Sequence, residues 1–412
     1  MIVSRANIDA LTGLRFVAAF TIAFGHAYPH WLSLTGVGMP LFFTLSGFII
    51  HYVYADPFAA GWRRATGEFA VARISRIYPL YLALLLYYLL RTPMGPELAG
   101  RANVPVIVSY FLACWTWWPI MVDGHLLLDF YYHIFWSVST EIFFYIGYAL
   151  FFYRIARIQS VRRCLIALVA FCLTSYLWFY CLFLTRDLWE PLILQNFPYF
   201  VSRTEDFTQS FYRWLLYISP YSRIFEFIGG CLTCQLFLLV RRHPSFLRQL
   251  RPGLMAGLAV AAIAVLVVAF DYVGNHHQWL AVGDHSLAAF FVNLHMNFLF
   301  APACYLLIFS LALGGSAVSR AISGRIPRFL GDISYSTYLT HPMAESVLRR
   351  LSVHVSSPVA HLVVIMAIVY IMSWVSYSAI EVPAKRWYSL RTLSHFREAF
   401  RMGRRAGRCR EQ

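Results

Sequence analysis

The chain reads as an all-α integral membrane protein, a bundle of about ten transmembrane helices with an additional re-entrant or interfacial segment near 104–122. Three observations carry this. Of 412 residues, 59% are hydrophobic and only 13% charged, and the mean hydropathy is +0.60, more apolar surface than one soluble core could bury. The apolar residues gather in runs long enough to cross about 30 Å of hydrocarbon. The basic residues gather between those runs, in segments that alternate between rich and poor.

Taken in order, crossing helices are expected near 9–28, 36–54, 74–91, 132–153, 163–184, 219–240, 253–272, 289–313, 331–350 and 360–380. Val104 to Val122 is apolar too and carries Trp115, Trp117 and Trp118. Counting it as a crossing would put the basic loop with Arg154, Arg157, Arg162 and Arg163 outside, against the usual bias, so it is expected to stay on the outer side without crossing. Inner segments then hold clusters such as Arg63, Arg64, Arg73 and Arg76, or Arg241, Arg242, Arg248 and Arg251, while outer segments hold scattered residues such as Arg91, Arg186 and Arg213. Both termini are expected in the cytoplasm. Residues 1–390 read as one transmembrane domain and 391–412 as a basic tail. Neither an internal repeat nor a soluble domain is legible.

The formal net charge of +15 could suggest nucleic acid, but its placement in loops and tail is the membrane-orientation pattern, so nucleic acid is not expected as a partner. Eight cysteines lie almost wholly in apolar runs. Cys231 and Cys234 form a C-x-x-C without a second pair or flanking histidine, so neither disulfide nor metal is expected. No small-residue cleavage site follows the first apolar span, which is expected to be retained.

Chemistry is suggested by charge placed where lipid would penalise it. Arg15 and His26 sit eleven residues apart in the first span, on nearly the same helix face and about 16 Å apart along the axis. Such residues point to an enzyme or a transporter within the bilayer. By depth, His26, Glu141, Arg223, Glu226 and His341 can converge. A histidine flanked by carboxylates in a partly dry cavity can take a proton from a hydroxyl; alternatively these groups are structural ion pairs between helices. Arg73 and Arg76 stand at i and i+3 where the third helix leaves the cytoplasm, and two guanidinium forks on one face can grip a phosphate or pyrophosphate. The bland alternative is positive-inside anchoring. Ser46-Gly47 looks like close helix packing through small residues.

Together the motifs resemble one family. Leu11-Thr12-Gly13-Leu14-Arg15, His26, Gly36-Val37-Gly38 before Leu41-Phe42-Phe43-Thr44-Leu45-Ser46-Gly47-Phe48, Arg73-x-x-Arg76-Ile77-Tyr78-Pro79, Trp136-Ser137 with Glu141-x-x-Phe144-Tyr145, Arg223-x-Phe225-Glu226-Phe227, Ile333-Ser334-Tyr335-Ser336-x-Tyr338-Leu339-x-His341 and Glu381-x-Pro383 resemble the membrane-bound acyltransferase 3 family. Where many members have Asp, this chain has Thr12, its nearest acid being Asp9.

The resemblance implies an O-acyltransferase that moves an acyl group, usually acetyl, from cytoplasmic acetyl-CoA to a hydroxyl of a carbohydrate or glycolipid at the outer face of the plasma membrane. His26, with Arg15 and Glu141, is the expected catalytic set, and Arg73 and Arg76 the donor-binding pair. Ser46, Trp136, Ser137, Arg223, Glu226 and His341 are expected to support the site or bind substrate. Acetyl-CoA is the expected co-substrate, with no metal, and the chain is expected to act as a stand-alone membrane enzyme. A polytopic transporter or flippase of a lipid-linked saccharide is the rival reading, which would not need a phosphate-gripping arginine pair.

Overall fold

A computed structural model of the chain describes residues 5–28, 33–91, 104–122, 125–127, 132–276, 285–295, 297–350 and 357–387. The basic tail expected at 391–412 lies outside the described residues. Three long helices open the fold: α1 (Arg5–Ala27), α2 (Thr35–Ala60) and α3 (Trp62–Arg91). A short α4 (Val104–Phe111) precedes α5 (Trp136–Leu150), α6 (Val161–Leu184) and α7 (Arg186–Asn196). Next, α8 (Phe211–Arg213) runs through a π-helical turn, Trp214–Ile218, toward α9 (Pro220–Arg241). There follow α10 (Pro244–Gln249), α11 (Pro252–His276), α12 (Leu287–His295), α13 (Ala301–Leu313), α14 (Ala317–Ile322), α15 (Arg325–Asp332), α16 (Ser334–Arg350) and α17 (Pro358–Ser376).

Local chemistry sets several helix starts. Ser160, Ser316 and Ser357 accept the backbone N–H three residues on and so cap α6, α14 and α17. Pro220 and Pro358 stand in the first turn of α9 and α17, where a missing N–H costs nothing.

Seven described helices are long and apolar enough to cross a bilayer: Asp9–Ala27, Thr35–Ala60, Trp62–Arg91, Val161–Leu184, Phe211–Arg241, Pro252–Val273 and Pro358–Trp387. The spans expected at 132–153, 289–313 and 331–350 are helical but short or broken. α5 has 15 residues, α12 and α13 are separated by a turn, and α16, with 17 residues, buries Ser334, Ser336, Thr337, Thr340 and His341. Neighbouring helices cover these elements, so they need not be apolar all round. In the break before α13, buried Asn297 donates to the Leu216 carbonyl (3.2 Å) and accepts from the Phe298 N–H (2.5 Å). Such a side chain makes irregular backbone tolerable at membrane depth.

The segment 104–122 does not form a crossing helix. The 8 residues of α4 span about 12 Å. A 3₁₀ turn at Trp115–Trp117 follows, and Met121–Val122 pairs antiparallel with His125–Leu126. The hydroxyls of Tyr78 and Tyr81, midway along α3, donate to the carbonyls of Leu112 (2.9 Å) and Tyr110 (2.5 Å). The segment thus dips to the middle of that helix.

α2 and α9 meet backbone to backbone. A Cβ at Gly47 would strike the Phe227 carbonyl oxygen, and a Cβ at Gly230 would strike that of Thr44. A second clasp holds α1, where a Cβ at Gly13 would meet the Ile322 carbonyl and one at Gly331 that of Thr12. Small residues permit this approach, which matters where lipid offers no hydrophobic drive between helices. We expect Gly230→Ala to destabilise the detergent-solubilised protein by about 1–3 kcal/mol through overpacking against backbone. Thermal unfolding measures this, and an unchanged midpoint would show that the contact carries no constraint.

Candidate active site

α1, α2, α3, α5 and α16 surround a cavity of about 250 Å³. Its polar lining is Thr12, Arg15, Ser46, Arg73, Arg76, Ser137, Glu141, Tyr145, Tyr335 and Tyr338. Three guanidinium groups therefore face one carboxylate. Ser46 Oγ (2.8 Å) and the Tyr145 hydroxyl (2.7 Å) both donate to Glu141 Oε1, which ties α2 to α5. Arg73 lies 5.5 Å from the centre of the Tyr54 ring and 5.9 Å from those of Phe69 and Tyr145, an aromatic sleeve that orients its fork. The spacing of i and i+3 on α3 brings Arg76 to the same cavity.

A second cavity, of about 280 Å³, is lined by Ile22, His26, Thr35, Met39, His133, Ile134, Trp136, Arg213, Tyr217 and Tyr338. Met39 and Tyr338 line both cavities. Arg15 serves the first and His26 the second, as their common face on α1 predicts. The two chambers are thus stacked along the bundle, with Met39 and Tyr338 at their junction. Tyr338 is held there by its hydroxyl, which donates to the Ile134 carbonyl (3.2 Å).

His26 Nδ1 lies 2.9 Å from the Ile22 carbonyl and His341 Nδ1 lies 2.7 Å from that of Tyr338. A carbonyl can only accept, so each neutral ring carries its proton on Nδ1 and its lone pair on Nε2. The His341 bond has a local cause in sequence. Pro342 inside α16 lacks the N–H that would occupy the Tyr338 carbonyl, leaving it to the imidazole. The two rings are 5.1 Å apart and His133 is 6.4 Å from His26. His26 is exposed to its chamber. His341 is buried, and its Nε2 makes no hydrogen bond among the described residues.

Of the residues singled out in sequence, Arg15, Ser46, Arg73, Arg76, Ser137 and Glu141 meet in the first cavity, and His26 and Trp136 in the second. His341 packs beside His26. Arg223 and Glu226 line neither; they form a buried ion pair at 3.4 Å. Arg223 also lies 5.3–5.9 Å from the rings of Phe43, Trp136 and Tyr217, and so stands behind the aromatic wall of the second cavity. His133, Arg213, Met39 and Tyr217 were not anticipated. Arg213 reads as a loop residue when the span is begun at 219. The apolar run in fact extends back through the π-helical turn to Phe211, and Arg213 is then a cation within a span, the same signal that marks Arg15.

With the geometry in place, comparison with known proteins gives a consistent result. A family model described as an acyltransferase domain matches residues 8–378. The chain is 23% identical over 389 residues to the O-acetyltransferase OatA of Staphylococcus aureus, covering 93% of this chain and 58% of that protein. It is 20% identical to the peptidoglycan O-acetyltransferase OatA of Listeria monocytogenes over 93% of this chain and 56% of that protein. It is 24% identical to the putative peptidoglycan O-acetyltransferase YrhL of Bacillus subtilis over 94% and 57%. The chain thus spans less than two thirds of the length of these relatives. No solved structure matches it. A helical membrane bundle, an arginine-lined cavity beside a histidine-lined one and a match over nearly the whole chain lead to one statement: the chain belongs to the acyltransferase domain family.

Proposed function

We propose that the protein moves an acyl group, acetyl first among the candidates, from cytoplasmic acyl-CoA to a hydroxyl of a carbohydrate or glycoconjugate at the outer face of the plasma membrane, with both chain termini in the cytoplasm. The observation that carries this reading is the pair of chambers joined at Met39 and Tyr338, one rich in guanidinium groups and the other in imidazoles. The named relatives, O-acetyltransferases, agree with it.

Arg73 and Arg76 hold the donor's phosphates in the inner chamber, where bidentate forks suit them. The donor's flexible arm then passes between Met39 and Tyr338, because roughly 16 Å of helix separates Arg15 from His26. At the thioester, the Nε2 lone pair of His26 takes the proton of the acceptor hydroxyl as its oxygen attacks the carbonyl carbon. The C–S bond breaks, and the proton passes from His26 to the departing CoA thiolate, so that ester and free thiol are the products. Glu141, bonded by Ser46 and Tyr145, sets one negative charge against the three arginines that line the same chamber. A transporter of a lipid-linked saccharide would show no acceptor-dependent release of CoA from purified protein, and that measurement tests the reading.

Three outcomes follow. His26→Ala is expected to lower acyl transfer by about 10²–10⁴-fold, the usual contribution of a positioned base, with insertion unchanged; wild-type turnover in a folded variant would remove His26 from the chemistry. Arg73→Lys and Arg76→Lys keep charge and orientation but lose the fork. Losing one charge-assisted bond of about 1.5–3 kcal/mol should raise the acetyl-CoA KM roughly tenfold to hundredfold. Unchanged KM and kcat in both would return the pair to membrane anchoring. Met39→Trp fills the junction and should cut transfer at least about tenfold, since even one methylene of misfit can do so. Steady-state kinetics with acetyl-CoA check it against CoA binding, which is expected to persist.

A further inference from the structure

The residues lining the outer chamber include one permanent cation, Arg213, two imidazoles, His26 and His133, and no carboxylate. In the inner chamber, by contrast, three arginines are set against Glu141. Arg213 is partly buried. One of its donors, Nη1, bonds the Thr208 carbonyl at 2.5 Å, and no carboxylate forms an ion pair with it among the described residues. The nearby Asp206 feels the charge of Arg213 through space but does not bond it; its Oδ1 accepts within its own loop from the Thr208 N–H (2.8 Å) and hydroxyl (2.5 Å), and it does not line the chamber. Behind the wall, Arg223 is paired with Glu226 at 3.4 Å and does not line the chamber.

From this we infer that the acceptor carries an anionic group, a carboxylate or phosphate on or beside the sugar ring that enters the outer chamber, and that Arg213 recognises it. The inference rests on reading this chamber as the acceptor's. A guanidinium with donors to spare and no lining carboxylate has a positive field that a neutral sugar leaves uncompensated and an anion completes. The chamber's 280 Å³ stands near the lower end of ligand pockets, about 300 Å³, room for one ring and its substituent. Trp136 and Tyr217, with ring centres 5.0 Å apart, offer aromatic surface to the apolar side of such a ring. Arg213 is thus a specificity residue that fixes which sugar presents its hydroxyl to His26.

The test uses matched probes: a short oligogalacturonate, the same oligosaccharide with its carboxylates reduced to alcohols, and a phosphorylated hexose glycoside. Binding to the full-length, detergent-solubilised protein is measured by calorimetry, independently of turnover, and acetyl transfer is measured alongside. An acidic probe is expected to bind wild type at least about tenfold more tightly than the neutral one, the scale of one charge-assisted hydrogen bond. Arg213→Gln should bring the ratio to within about twofold, and Arg213→Lys should keep part of it. Whether the uronate or the phosphate probe is preferred identifies the anion. Equal binding of acidic and neutral probes by wild type would overturn the inference, as would a preference that survives Arg213→Gln. Retained anion preference without acetyl transfer to any probe would instead sink the acyltransferase reading and leave the anion site standing.

Discussion

Everything at the site depends on how closely α2 can approach α9. Gly47 and Gly230 each give way to a backbone carbonyl of the other helix, and the Cys231 thiol donates to the Gly47 carbonyl at 3.4 Å. Within a bilayer, such contact is what holds helices together, because lipid tails compete equally for apolar side chains. The consequence reaches both chambers, since α2 supplies Ser46 to the inner one, Thr35 to the outer one and Met39 to their junction. A displacement of α2 by one methyl group would carry all three with it.

Around that fixed helix the polar groups are arranged by what each can donate or accept. The arginine-lined chamber sets three cations against Glu141, whose Oε1 takes two hydroxyl donors. Glu381 stabilises the next layer, accepting from Ser336 (2.6 Å) and from Lys385 (3.0 Å). Such a cluster costs free energy in the bare protein, a cost that the polyanionic donor proposed above would offset. At the other end, two histidines are held in one tautomer by backbone carbonyls, not by carboxylates. Carboxylate partners for His26 were the natural expectation from the acids nearby in depth, and the fold sends those acids elsewhere: Glu141 to the hydroxyls of Ser46 and Tyr145, Glu226 to Arg223.

The segments around the histidine-lined chamber do structural work of their own. Buried Arg203 is paired with both Glu190 and Asp187, joining the loop after α7 to that helix. Trp214 Nε1 donates to the Thr116 carbonyl at 3.2 Å, and the Thr116 hydroxyl to Ser139 Oγ at 2.7 Å. These bonds dock the dipping segment onto α5 and α9 and so support the wall that Trp136 and Tyr217 present to the outer chamber.

The sequence alone determined the class of the molecule and much of its site. Membrane residence follows from apolar run length, and the placing of Arg15, His26, Arg73, Arg76 and Glu141 on cavities inside the bundle follows from the penalty lipid sets on charge, a penalty readable from position in a span. The common face of Arg15 and His26 follows from helical periodicity. Tertiary structure alone decided that this face opens into two chambers and not one, because the junction is made by Met39 and Tyr338 from helices distant in sequence. It also placed Arg213 on the histidine-lined chamber, by carrying the span back from Pro220 through a π-helical turn. Arg223 and Glu226 pair along one helix at a spacing the sequence shows, but only the packing around α9 decides that both are covered and kept out of the chambers. Residue type and spacing report the cost of burying a group; only the packing of helices against one another settles which partner meets that cost.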